Sequence, residues 1–302
     1  MSPTLPGPVL AIGSFDGVHL GHQAILAAGR RVARELGAVA GVLTCDPLPA
    51  QLINPEFTFV LTPLDEKLEL LVGLGMDFVQ VVPFNDATRR TEPGEFIANE
   101  IMGLTPSAVV VGADHHFGHR GQGDVELLRR QLGPLGVRIE VVPEFILHDA
   151  PVRSTRIRER LLLGHVRRAG ELLGRPYRLN GPVVSGTGTG RRLGFPTLNL
   201  ATRQKEKLVP ADGVYAAWTA FDGRLHPAAV NIGHRPTFGG ETRTVEAHLL
   251  DTADVPPPPG LDILFVDRLR PERRFPDPAA LAAQIAEDVS AARQVLADNP
   301  DA

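Results

Sequence analysis

"VLAIGSFDGVHLGHQ", residues 9–23, decides the fold of the first half of the chain. Four apolar residues run into Gly13, which reads as a short buried strand ending in a turn. A helical pattern follows from about His22 or Gln23. Ile25, Leu26, Val32 and Leu36 fall on one helix face and Gly37 is the stop. The turn between strand and helix carries glycines at 13, 17 and 21 and histidines at 19 and 22.

The pattern then repeats. "AVAGVLT", "DFVQVVPF", "SAVVVG" and "VRIEVVP" read as strands, with helical "LDEKLELLVGLG", "EPGEFIANEIM" and "VELLRRQL" between them. Apolar strands alternating with amphipathic helices predict an α/β domain, a parallel sheet covered on both faces. After about Arg175 the signal changes. "YRLNGPVVSG", "GVYAAWTAF", "LHPAAVNIG", "RTVEAHLLD" and "LDILFVDRLR" are short segments split by Gly and Pro, as in an antiparallel sheet or small barrel. A terminal helix, "PAALAAQIAEDVSAARQVL", follows. The expected division is residues 1–174 and 175–302.

The 302 residues suffice for two domains of ordinary size. The net charge of −4 argues against a protein that coats nucleic acid. Cys45 is the single cysteine, which excludes an internal disulfide and a multi-cysteine zinc site. "MSPTLPGP" lacks a basic segment followed by an apolar one, and no apolar run reaches membrane-span length. A cytoplasmic protein with small-molecule partners, and with neither nucleic acid nor membrane, is expected; self-association stays open.

In an open parallel sheet, ligands sit beyond the carboxyl ends of the strands, where helix N-termini offer free N–H groups to an anion. The glycines let the backbone approach a phosphate, and His19 and His22 can donate hydrogen bonds to it. No Walker loop is present, and the histidine spacing is not that of a zinc helix. "STRIR" (Ser154, Thr155, Arg156, Arg158) offers hydroxyls and guanidinium groups at a helix start, suited to a polyphosphate. Downstream, "GTGTGRRLGFPTLNL" (186–200) has a flexible loop, two arginines, and then Thr197 and Asn199. Alternate strand positions share a face, so these two can offer neutral oxygens to one Mg²⁺.

"GSFDGVHLGH" resembles the H-x-G-H motif of nucleotidylyltransferases. With "LTPLDEKLELLVGLGMDFVQVVPF", "RSTRIRERLLLGHVRRAGELLGRPY", "GFPTLNL", "DGVYAAW", "VNIGHRPTFGG" and "VEAHLLD", residues 9–298 resemble the bacterial bifunctional riboflavin kinase/FAD synthetase family. The resemblance implies a Rossmann-like nucleotidylyltransferase domain and a β-barrel riboflavin kinase domain with a terminal helix. It implies two reactions: riboflavin plus ATP to FMN, then FMN plus ATP to FAD, with Mg²⁺. It places His19 and His22 at the transferring phosphate. Gly13, Ser14, Phe15, Asp16, Gly17, Gly21 and Asp114 join the "STRIR" residues on ATP. In the kinase half it assigns Gly186, Gly188, Gly190, Arg191 and Gly194 to the nucleotide. Thr197 and Asn199 go to the metal, Glu246 to proton removal, and Asn231, Arg270 and the helix from about Pro278 to Leu296 to the flavin side, with Thr237 supporting the site.

Departures from the family pattern fall mostly in the first half. Cys45 and Leu48 stand where an aromatic residue and a histidine are usual, His115 and His116 where an aromatic and a basic residue are, and Ser14 where asparagine is common. "TADVPPPPG" replaces an aromatic–glycine pair. An adenylylating half re-tuned to another flavin or nucleotide, or impaired, therefore stays open. So does a metal site built from His115, His116 and His119, which would make a hydrolase or binding module, and so does a non-catalytic flavin carrier.

Overall fold

The computed structural model describes residues 6–54, 56–57, 59–186, 188–237, 240–250 and 256–300, with the side chains of 235–237 and 240–242 excepted. Thr187, the Thr237 side chain and the whole of "TADV" (252–255) lie outside the described residues. By packing, the chain divides into two compact units, residues 1–154 and 155–302.

The first unit alternates strand and helix. Its elements are β1 (Val9–Ile12), α1 (Leu20–Leu36), β2 (Ala40–Asp46), α2 (Pro49–Ile53), α3 (Leu64–Gly73), β3 (Phe78–Pro83), α4 (Pro93–Phe96), β4 (Ala108–Gly112), α5 (Val125–Leu132) and β5 (Arg138–Val142), then the hairpin β6 (Ile146–Leu147) and β7 (Ala150–Pro151). The five main strands form one parallel sheet in the order β3-β2-β1-β4-β5. Every residue of β1 is buried. Val9 and Ala11 face a cluster with Leu26, Val32 and Leu71, while Leu10 and Ile12 face Ile97, Leu128 and Leu132. Helices on both faces explain why the strands read as unbroken apolar runs. The chain leaves β1 toward β2 on one side and reaches β4 on the other, so the turn after β1 lies at the point where strand order reverses.

Helix α1 begins at Leu20 with His19 as its N-cap, earlier than the sequence pattern suggests, so His22 lies inside the first turn. "EPGEFIANEIM" is helical but irregular: α4 widens into a π-helical turn over Ile97–Ile101 and tightens to a 3₁₀ turn over Met102–Leu104.

The second unit opens within α6 (Ser154–Leu162), from its second residue, and α7 (Val166–Leu173) follows. It continues through β8 (Tyr177–Val184), α8 (Thr189–Arg192), β9 (Leu198–Leu200), β10 (Gly213–Phe221), β11 (Arg224–Thr237), β12 (Gly240–Leu249), β13 (Gly260–Arg270) and α9 (Pro278–Ala297). The six strands close into an antiparallel barrel, β10-β11-β12-β9-β8-β13. Asp277 caps α9 by accepting from the Ala280 N–H, and Pro278 occupies its first turn. The helix lays Val289, Ala292 and Leu296 on Ala216, Ala229 and Val266 of the barrel.

Candidate functional sites

The glycine–histidine turn is held in a strained shape. Phe15, Gly17 and Val18 all have positive φ, at 50°, 85° and 41°. For a β-branched valine this is a true outlier, worth about 1–3 kcal/mol of strain that surrounding contacts must offset. Phe15 and Val18 are fully buried, which anchors both side chains. Asp16, also buried, accepts through Oδ1 from the Leu61 and Thr62 N–H groups, each at 3.0 Å. Gly17 N–H donates to Thr62 Oγ1 at 2.9 Å.

The carbonyls of the turn are held by protein donors. Thr44 Oγ1 and Lys67 Nζ donate to the Ser14 carbonyl, Val18 N–H to that of Phe15, Ser154 Oγ to that of Asp16 at 2.8 Å, and Gln23 Nε2 to that of Val18. A site for a polyanion needs such an arrangement, because a carbonyl oxygen facing a phosphate repels it.

His19 Nδ1 accepts from the His22 N–H at 3.3 Å, which in a neutral ring places the His19 proton on Nε2. The two imidazoles stack with centroids 3.6 Å apart, and Phe15 meets His22 edge-on at 5.2 Å. A β-carbon at position 21 would lie 3.2 Å from the His19 ring, so Gly21 leaves room for that stack. Burial first, then His19 and Lys67, holds the His22 imidazole well below the usual histidine range. Its Nδ1 is buried and makes no hydrogen bond.

The other expected residues of the first half take distinct positions. The Asp16 carboxylate faces the 61–62 backbone and shapes the turn. Ser154 likewise ties the turn through its hydroxyl. Thr155 is exposed on α6, with Arg156 and Arg158 half-buried beyond it. Asp114 is exposed and lies 3.7 Å from Arg153. Burial pushes the Cys45 thiol up to about 11, so it is a neutral, unreactive group; Leu48 is buried at the start of α2.

The three histidines of the β4–α5 loop go separate ways. His115 is stacked on Phe117, His116 Nδ1 lies 3.1 Å from the Gly121 carbonyl, and His119 Nδ1 lies 3.1 Å from Glu92 Oε1. Among the described residues no three His, Cys, Asp or Glu side chains converge as metal ligands.

In the barrel, three expected residues share one row. Asn231 of β11 pairs directly with Glu246 of β12, and Glu246 with Asn199 of β9. Residues directly opposite on neighbouring strands project to the same face, so the three side chains leave one face of the barrel with Glu246 on the middle strand. Thr197 precedes β9 and donates through Oγ1 to Glu246 Oε2 at 3.2 Å, and Thr244 Oγ1 lies 3.4 Å from Oε1. His248 Nδ1 contacts the Pro196 carbonyl at 2.8 Å and meets the Phe195 ring edge-on, fixing the segment that carries Thr197. Two neutral oxygens beside a carboxylate suit a hard cation. Gly186 leaves space for the Asn199 amide: a β-carbon there would stand 2.3 Å from Nδ2.

Gly188 and Gly194 take positive φ on either side of the single turn α8, which carries Gly190 and the exposed Arg191. Arg270 has a different environment. Its guanidinium makes a two-pronged ion pair with Asp288 of α9, at 2.8 and 2.7 Å, and Gln284 donates to the same carboxylate.

Sequence reasoning missed Lys67, Thr244, His248 and Asp288. For Lys67 a signal existed: it lies four residues before Leu71 on α3, on the buried stripe. Asp288 lies four residues after Gln284 on α9, a spacing that aligns them on one face.

A family model described as FAD synthetase matches residues 2–156, and one described as riboflavin kinase matches residues 173–296. A bifunctional riboflavin kinase/FMN adenylyltransferase of Pseudomonas fluorescens is 37% identical over 98% of this chain and 96% of its own. The protein of the same description from Bacillus subtilis (strain 168) is 34% identical over 93% of this chain and 90% of its own. A crystal structure from Streptococcus pneumoniae described as a macrolide-efflux protein superimposes with a TM-score of 0.88 at 27% identity, covering 96% of this chain and 95% of that one. Among the described residues here, no helix is long and apolar enough to cross a membrane.

Proposed function

The chain belongs to the bifunctional riboflavin kinase/FMN adenylyltransferase family, and from that premise we propose that it phosphorylates riboflavin with ATP and then transfers AMP from a second ATP to the resulting FMN. The functional division we infer is 1–174 for AMP transfer and 175–302 for phosphorylation. The observation that carries the reading is the Asn199–Glu246–Asn231 row with Thr197 beside it, a polar constellation placed where the riboflavin kinase family model matches.

In the kinase half, Glu246 accepts the proton of the riboflavin hydroxyl as its oxygen bonds to the γ-phosphorus of ATP and the bond to the ADP leaving group breaks. Thr197 and Asn199 are the residues that would hold Mg²⁺, which when bound neutralises polyphosphate charge. Thr244 and Thr197 orient the carboxylate. The glycines of 186–194 and Arg191 embrace the nucleotide. Asn231 serves the flavin side directly, and Arg270 serves it by holding α9 against β13.

In the other half, a phosphate oxygen of FMN bonds to the α-phosphorus of ATP and pyrophosphate leaves. The attacking oxygen is already anionic, so the protein's work is positioning and charge stabilisation. His22, held neutral by burial, and His19 beside it act as hydrogen-bond donors to the transferring group. The turn from Gly13 to Gly21 frames it. Asp114, Thr155, Arg156 and Arg158 assist on the nucleotide.

The test supplies riboflavin, ATP and Mg²⁺ and separates the products by chromatography. FMN followed by FAD is expected. FMN without FAD removes the AMP-transfer reading, and FAD from supplied FMN with no riboflavin phosphorylation removes the kinase reading.

A further inference from the structure

Lys67 is an unusual residue for its place. Its side chain is 1% exposed, and its ammonium donates to the carbonyl of Cys45 at 3.0 Å, the carbonyl of Ser14 at 3.3 Å and Thr44 Oγ1 at 3.4 Å. Thr44 Oγ1 in turn donates to the Ser14 carbonyl at 3.1 Å. The titratable groups around it are Asp16 from the turn, Cys45 and Asp46 from β2 and His22 from α1. Among the described residues no carboxylate forms an ion pair with it. Three oxygens satisfy its donors; burial draws its pKa below the usual lysine range, and Cys45, Asp46 and Asp16 oppose that without pairing with it, so the buried charge is only partly offset.

Resting on the AMP-transfer reading above, we propose that Lys67 is a positioning residue for that reaction: it ties the Ser14 carbonyl to the end of β2 and keeps a fixed positive charge beneath the glycine–histidine turn. Its three donors point at protein oxygens, so it acts through the turn and through its field rather than by touching a phosphate. The Ser14 carbonyl is drawn inward, away from the anion. The field adds attraction for a polyphosphate lodged in the turn, and that anion adds to the partial compensation from Asp16 and Asp46. The same field opposes a positive charge on His22, helping to keep the imidazole a neutral donor.

The experiment uses Lys67→Met in the full chain, with FMN, ATP and Mg²⁺ for AMP transfer and riboflavin phosphorylation by the other half as the folding control. The turnover for FAD should fall by about 10- to 100-fold while phosphorylation is unchanged. The NMR titration midpoint of the His22 ring should move up, because a nearby positive charge has gone. FAD formation retained within about twofold overturns the proposal, as does an unmoved His22 midpoint. Wild-type protein that makes no FAD refutes the AMP-transfer reading instead, and the His22 midpoint then still tests the field. Should Lys67→Met unfold the first unit, Thr44→Val removes one acceptor and keeps the charge. It should slow FAD formation severalfold with phosphorylation intact, and unchanged FAD formation overturns the tether.

Discussion

The imidazole of His22 lies flat against that of His19, 3.6 Å between centroids and 15° between planes, while the His22 N–H donates to His19 Nδ1. Two stacked rings cannot both be charged cheaply, and burial adds to the penalty on His22. The pair is therefore a donor array rather than a pair of cations. His22→Ala should lower FAD formation from FMN by about 10²–10³-fold, the usual cost of losing one donor to a developing charge. Riboflavin phosphorylation measured on the same protein should not change. Equal losses in both would mean that the ring only supports folding.

Glu246 occupies the middle of its row, with a threonine hydroxyl near each carboxylate oxygen. Glu246→Gln keeps the shape and the neighbours but removes the proton acceptor. Riboflavin phosphorylation should drop by about 10²–10⁴-fold, and supplied FMN should still be converted to FAD. Steady-state rates with each substrate read both.

Much of this was legible in the sequence because the relevant forces are local. Unbroken apolar strands gave the parallel sheet, and Gly/Pro-split alternation gave the barrel. Thr197 and Asn199 were separable as candidates because strand spacing and the family resemblance point to the same residues, whereas Glu246 and Asn231 stood out only through the resemblance. The start of α1 was misplaced because His19, a residue uncommon as a cap, supplies the capping acceptor through its ring. The strain at Phe15 and Val18 was invisible, since neither residue type announces a positive φ. Asp16, Ser154 and Arg270 were assigned to ligands, yet their bonds to 61–62, to the Asp16 carbonyl and to Asp288 depend on segments distant in sequence. Lys67 was overlooked because a lysine in a charged helix start reads as solvated.

Gly186 gives a steric test of the kinase site. A β-carbon there would meet the Asn199 amide at 2.3 Å, and it is Asn199 rather than a flexible tail that must move. Gly186→Ala should reduce riboflavin phosphorylation and raise the Mg²⁺ concentration needed for half-maximal rate, with AMP transfer unaffected. A magnesium titration unchanged from wild type would remove Asn199 from the metal.

Arg270 and Asp288 are mostly buried partners, 17% and 7% exposed, joining β13 to α9. Arg270→Met leaves Asp288 buried without a countercharge and should lower unfolding free energy by about 3 kcal/mol. Adding Asp288→Leu should recover most of that, because two apolar groups can replace a buried pair. Denaturant unfolding measures both. If the double variant regains stability but its KM for riboflavin is raised, Arg270 also touches the flavin.

His115 links the β4–α5 loop to acid stability. Burial pulls its pKa to about 4, with His116 pushing the same way and Asp114 opposing. In the unfolded chain the ring titrates near 6.5. Between those two values the unfolded state binds a proton that the folded state refuses, so folding weakens as pH falls through that interval and is indifferent to this ring above it. His22, also held low, acts in the same direction. The unfolding midpoint of wild-type protein should therefore fall steeply from pH 7 toward pH 4.5. His115→Phe retains a ring beside Phe117, 5.7 Å away by centroid in the wild type, and cannot take up the proton. Its midpoint should decline less over the same interval, and parallel curves for the two proteins would show that His115 protonates freely in the folded state.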